Sequence, residues 1–182
     1  SFDEAAAIPL SFNTAWCMLV NRAQVQPGED VLIQAVGSGV GSAALQIARF
    51  FGCRAFVTAG ADWKLETAQE TWADDFGINY REMDVADMVL ALTEDEGVDV
   101  VVDCVGIDTW PGSFRSLRRF GRYVVCGVHS GHRGEIHLGQ LFTRGLSVMG
   151  IGTWRNAQFA TIMKLVERGI FHGIVHKTFP LE

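Results

Sequence analysis

No stretch of the chain reaches the roughly 18 to 20 consecutive apolar residues needed to cross a bilayer, and no charged, apolar, small-residue cleavage pattern opens it. The expectation is a cytoplasmic protein. Cysteine is scarce: Cys17, Cys53, Cys104 and Cys126 are four residues in 182, with no C-x-x-C pair. Such spacing implies neither disulfides nor a zinc knuckle, so each reads as a small buried hydrophobe. The histidines, His129, His132, His137, His172 and His176, also lack metal-ligand spacing. With only 4 prolines beside 20 glycines, 48% hydrophobic and 20% charged residues, the profile is that of a globular protein, not a disordered or fibrous one. Basic charge is short as well. A net charge of -6 and a pI near 5.3 argue against a nucleic-acid surface, which requires a concentrated basic field. Arg115, Arg118, Arg119 and Arg122 cluster, but around an expected helix-to-strand turn, where they read as a solvated face.

What is present is an alternation of short apolar runs and helical stripes on one core. Residues 1–26 read as a helical lead-in interrupted by Pro9, and residues 27–182 as the domain proper. After the Pro27-Gly28 turn, Asp30 to Ala35 is the first strand, of the kind buried on both faces. Val40, Ala44, Ile47, Ala48 and Phe51 then form a helical stripe closed by Gly52. Ala55 to Thr58 is a second strand, Trp63 to Phe76 a helix closed by Gly77, and Ile78 to Tyr80 a brief third strand. Val85 to Thr93 is helical, and Val98 to Asp103 is a strongly β-branched fourth strand. Trp110 to Leu117 is helical, Arg122 to Gly127 and Leu146 to Met149 are the fifth and sixth strands, and Gln158 to Arg168 is a helix capped by Gly169. Alternation of this kind implies a doubly wound α/β fold, with about six parallel strands and helices on both faces.

Between the first strand and its helix stands Ala35-Val36-Gly37-Ser38-Gly39-Val40-Gly41. Glycines there permit a tight turn and let a pyrophosphate approach the backbone, while the helix offers unpaired N–H groups and its positive end. The spacing departs from strict G-x-G-x-x-G, and a plain tight turn is the alternative. Its place between a first strand and a long helix favours a dinucleotide site. About twenty positions on, an acidic residue would bind the ribose of NAD; Thr58-Ala59-Gly60-Ala61 stands there instead. With Lys64 opening the next helix, NADP(H) is preferred over NAD(H), although Lys64 also reads as an ordinary surface lysine.

These residues resemble the medium-chain dehydrogenases/reductases, in particular the quinone oxidoreductase and zinc-type alcohol dehydrogenase branches. The similarity runs through Ala7 to Trp16, Val25 to Ile33, Gly37 to Ala44, Ile78 to Arg81, Gly97 to Gly106 and Gly121 to Gly127, in register. It implies a Rossmann-type domain in which Thr14 lies near the nicotinamide and Gly39, Val40 and Gly41 contact the pyrophosphate. Gly60, Lys64 and Tyr80 would surround a 2′-phosphate, and Gly106, Gly127 and Val128 would line the inner cleft. Gly37, Ser38 and Thr58 complete the candidate cofactor set. For Tyr80 a half-buried strand aromatic is the alternative. In zinc-dependent members a cysteine ligand precedes the Phe-x-Thr stretch; here that position is Leu10, which cannot coordinate, so no zinc is expected.

A short-chain dehydrogenase needs a lysine four residues after its tyrosine, but Asp84 follows Tyr80 and Gly127 follows Tyr123 at that spacing. Methyltransferases usually place a carboxylate after the second strand, and glycine and alanine occupy that place. His129 and His132 fall in the loop after the fifth strand, where solvated histidines are usual. Family members carry a catalytic domain before the segment matching Ser1, so a fragment is expected. The parent would transfer hydride between NADPH and a quinone, enone or related carbonyl compound; the other hypothesis is a stand-alone NADP(H)-binding module. No catalytic acid or base is identifiable. Partners are a small-molecule substrate and a second copy, a homodimer through the apolar edge strand 146–150, with neither nucleic acid nor membrane.

Overall fold

The computed structural model describes residues 1–71, 76–152 and 158–180. Its lead-in is helical: α1 (Phe2–Ala7) is closed at its start by a capping box between Ser1 and Glu4, and α2 (Pro9–Trp16) begins on proline, whose missing N–H costs nothing at a helix start. A π-helical segment, Cys17–Arg22, continues from α2; the periodicity gave no sign of this widening.

The domain then runs β1 (Asp30–Ile33), α3 (Gly39–Phe50), β2 (Arg54–Ala59), α4 (Asp62–Thr71), β3 (Phe76–Asn79), α5 (Val85–Leu92), β4 (Val98–Asp103) and α6 (Trp110–Ser116). It finishes with β5 (Leu117–Val125), α7 (Leu138–Arg144), β6 (Ser147–Gly150) and α8 (Phe159–Glu167). Every strand pairing is parallel, in the order β3-β2-β1-β4-β5-β6. The chain therefore winds outward in one direction, returns to the centre, and winds out in the other. Between β1 and β4 the connections leave toward opposite sides, opening a crevice at the carboxyl ends of the strands.

Alternation along the central strands gives the sheet two buried faces. Val31, Ile33, Ala55, Val57, Val100 and Val102 meet residues of α2, α3 and α8. Leu32, Phe56, Ile78, Val101 and Tyr123 meet Val89 of α5 and Phe114 of α6. Burying each large aliphatic side chain contributes about 1.5–3 kcal/mol.

Several expectations are corrected. Gly77 caps no helix: it lies inside β3 paired with Val57, because Phe76 is drawn into the sheet by stacking on Phe56 at 5.1 Å. Residues 72–75 of the expected second helix lie outside the described residues. Tyr80 lies one residue past the strand, 52% exposed, and so is not a strand aromatic. The fifth strand starts at Leu117, five residues earlier than expected, around an irregularity in its pairing with β4. α7 was not foreseen; His137 caps its first turn by accepting the Gln140 N–H at 3.1 Å.

The arginine cluster makes pairs within the chain: Arg115 with Asp84 and Asp87, Arg118 with Asp99, Arg122 with Glu29. Cys17, Cys53 and Cys104 are buried and Cys126 is half-buried, all as free thiols. Among the described residues no helix is long and apolar enough to cross a membrane.

Candidate functional site

The site is the crevice over the carboxyl ends of β1, β2, β4 and β5. Its centre is the glycine turn. Ala35 takes the left-handed conformation (φ 57°), and its N–H donates to Thr58 Oγ1 at 3.0 Å; the Val36 N–H donates to the Thr58 carbonyl at 2.9 Å. Ser38 is the N-cap of α3, its hydroxyl accepting from the Gly41 N–H at 3.0 Å. The Ser42 N–H bonds the Ser38 carbonyl. That leaves the N–H groups of Gly39 and Val40 without partners in the helix, at its positive end. A Cβ on Gly41 would stand 2.2 Å from the Ala35 carbonyl oxygen, so the helix can sit this close to the turn only on glycine.

The walls come from distant parts of the chain. The Lys64 stem lies over the turn, its Cδ 3.1 Å from where a Gly37 Cβ would be, and its ammonium is 5.4 Å from the Trp63 ring centroid. At the end of β2, a Cβ on Gly60 would meet Tyr80 Oη at 2.5 Å and Arg81 Nε at 3.1 Å. Asn79 donates to Asp62 Oδ1 at 2.8 Å and accepts from the Arg81 N–H, placing Arg81 beside Gly60. Ser11 of α2 overhangs the turn, its Oγ 2.5 Å from the Cβ position of Gly39. Thr14, one helical turn farther along, is 6% exposed.

On the other side, the fully buried Asp103 accepts from the N–H groups of Val105 and Gly106 at 2.8 and 3.1 Å, and from the Thr109 hydroxyl at 2.6 Å. Gly106 (φ 114°) is pressed against the Gly131 carbonyl and Val128, and a Cβ on Gly127 would strike the Cys104 carbonyl at 2.3 Å. Behind this loop pair is an apolar cavity of about 260 Å³ lined by Ile107, Trp110, Tyr123 and Val128, with His132 and Arg133 among the other residues around it.

The structure thus gathers Gly37, Ser38, Gly39, Val40, Gly41 and Lys64 at the turn, Gly60 and Tyr80 at one end, and Gly106, Gly127 and Val128 at the other. Thr58 differs in kind: it is fully buried, and its hydroxyl is engaged by Ala35 and Gln34. Ser11, Gln34, Arg81 and Asp103 escaped the sequence reading. Arg81 adjoins the Tyr80 that the reading did single out, so a basic residue there was the available signal.

The thiols and the buried phenol nearby are poor nucleophiles. Burial pushes the Cys126 thiol up to about 12, with Cys104 and Asp103 adding to the shift. Burial also raises the Cys104 thiol against the opposing hydroxyl of Ser38, and raises the Tyr123 phenol beside Asp103. Among the described residues no three His, Cys, Asp or Glu side chains gather as metal ligands. Leu10 is 68% exposed and has no donor atom. The arrangement suits holding an anionic bridging group.

A family profile described as zinc-binding dehydrogenase matches residues 39–168, from the first residue of α3 to just beyond α8. The chain belongs to this family, within the medium-chain dehydrogenases/reductases. Among the family's curated members, quinone oxidoreductase-like protein 2 of Rattus norvegicus is 32% identical over all of this chain and 55% of its own length. The crystal structure of an NAD-dependent alcohol dehydrogenase superposes with a TM-score of 0.87 at 40% identity, covering 94% of this chain and 50% of that one. Escherichia coli quinone oxidoreductase complexed with NADPH gives 0.79 at 31% identity, covering 93% and 55%. The chain therefore spans about half the length of these relatives. These relatives are named as a quinone oxidoreductase-like protein, an alcohol dehydrogenase and a quinone oxidoreductase.

Proposed function

We propose that this chain is the NADP(H)-binding half of a zinc-independent oxidoreductase that moves hydride between NADPH and a quinone, enone or carbonyl compound. The observation that carries this is the pair of free N–H groups on Gly39 and Val40, at a helix end that only glycine at position 41 lets approach so closely. Those groups would hold the pyrophosphate, while Gly106, Gly127, Val128 and Thr14 would border the nicotinamide. Bound NADPH supplies the hydride; the chain contributes position and electrostatics. Preference for the 2′-phosphate rests on Tyr80 and Arg81 beside Gly60 and on Lys64 over the turn, with Asp62 held by Asn79 at the start of α4. Two relatives pull in opposite directions, one being NAD-dependent and the other complexed with NADPH. Absence of zinc rests on Leu10.

A second copy would pair along the edge strand β6. Val148 is 41% exposed there, and Phe142, Leu138 and Phe120 are exposed nearby, an apolar surface suited to burial in a homodimer. Work in the cytoplasm accords with the free thiols.

The second reading is a nucleotide-binding module without turnover. Titration with NADPH and NADH, followed by incubation with quinones and enones, separates the cases. Tight NADPH binding with steady oxidation supports the first reading, and binding without oxidation supports the second. Failure to bind either nucleotide overturns both.

A further inference from the structure

One level of the sheet is polar where the levels below it are not. Gln34, Thr58 and Asp103 each stand one step beyond the paired residues Ile33, Val57 and Val102 of three adjacent strands. They lie on the face carrying Leu32, Phe56 and Val101, two residues earlier in each strand. Ser113 of α6 closes the row from above.

Gln34 is 2% exposed and the other three are fully buried, so water cannot replace a lost partner. The Ala35 N–H donates to Thr58 Oγ1 at 3.0 Å, and the Thr58 hydroxyl donates to Gln34 Oε1 at 2.7 Å. Gln34 Nε2 donates to Ser113 Oγ at 3.0 Å, which donates to Asp103 Oδ2 at 3.3 Å. The Asp103 carboxylate in turn holds the N–H groups of Val105 and Gly106. From Ala35 to Asp103 the donors all point the same way and the row ends on a carboxylate, an arrangement in which each bond polarises the next.

We infer that Gln34 is a positioning residue that couples the glycine turn to the Val105–Gly106 loop, so that both ends of a bound dinucleotide are gripped as one unit. Resting on the proposed NADP(H) site, this adds a residue that touches neither loop through its side chain. The Gln34 amide meets both demands of the row, an acceptor toward Thr58 and a donor toward Ser113, in one side chain.

The test is a double-mutant cycle in NADPH affinity, with Thr58→Val and Ser113→Ala made singly and together, in the wild-type chain and in Gln34→Met. Each single change, and Gln34→Met alone, raises the Kd on the order of tenfold. The double variant is expected to be little worse than the weaker single, and the non-additivity is expected to vanish in the Gln34→Met chain. Multiplying effects in the wild-type chain overturn the coupling. Should the Thr58 or Gln34 variants not fold, Ser113→Ala is read alone by amide hydrogen exchange. Faster exchange at Ala35 with Leu32 and Val101 unchanged supports the inference; unaltered exchange at Ala35 refutes it. A wild-type chain that binds no NADPH is a different outcome, and removes the proposed function while leaving the exchange test of the row intact.

Discussion

Gly41→Ala sets two known effects against each other. Alanine is favoured over glycine inside a helix by about 1 kcal/mol, and Gly41 lies in the first turn of α3. The new methyl, however, would be 2.2 Å from the Ala35 carbonyl oxygen and 2.9 Å from both the Ala35 carbonyl carbon and Val36 Cα. Carbon atoms pack best at about 3.5–4.0 Å, and all three obstacles are backbone, so no rotamer relieves the clash. Overpacking costs about 1–3 kcal/mol even where side chains can yield, which exceeds the propensity gain. At ~2–4 °C per kcal/mol for a chain of this size, the expected net loss is a few degrees in Tm. Moving the helix start also misaims the Gly39 and Val40 N–H groups, and NADPH affinity should fall more than tenfold. Gly39→Ala is the contrast, since its obstacle is the Ser11 hydroxyl at 2.5 Å; adding Ser11→Ala should restore much of what Gly39→Ala loses. Thermal denaturation and NADPH fluorescence titration read both quantities. A Gly41→Ala chain with unchanged Tm and unchanged Kd would refute the close-approach account.

Lys64→Ala and Arg81→Ala should each weaken NADPH roughly five- to tenfold, about 1–1.4 kcal/mol, while leaving NADH unaffected; equal losses for both nucleotides in calorimetric titration would count against a 2′-phosphate site. Val148→Lys with Phe142→Glu should turn a dimer into a monomer in light scattering at micromolar concentration, and a wild-type chain that is already monomeric removes the β6 interface. Asp84 caps α5 by accepting the Asp87 N–H, which, aided by Arg115 and opposed by slight burial, holds its carboxyl below the usual range. A lowered folded value means that this stability is present above the unfolded pKa of about 3.9 and fades as pH falls through the folded one. Asp84→Ala should accordingly cost ~1 kcal/mol at neutral pH and progressively less below about pH 4, as measured by urea unfolding; a pH-independent difference contradicts the assignment.

Local chemistry made much of the molecule legible in the order of its residues. Val98 to Asp103 is a strand because its β-branched run suits a pleated surface buried on both sides, and the structure gives it the same limits. The Val40 to Phe51 stripe and the glycines before it announced α3 and the tight turn at its start, because a helix repeat and a tight turn are written in neighbouring residues. Gly77 misled for the same reason: nearby residues suggest a cap, but what holds Phe76 and Gly77 in a strand is Phe56 and Val57, twenty residues earlier. Tertiary structure alone decided that Thr58 faces inward to Gln34, that Arg81 and Tyr80 reach over Gly60, and that three polar residues from separate strands stand at one level. Those facts depend on the register of parallel strands joined by long crossovers. No spacing along the chain encodes that register; it is set when the apolar faces of β2, β1 and β4 are buried together.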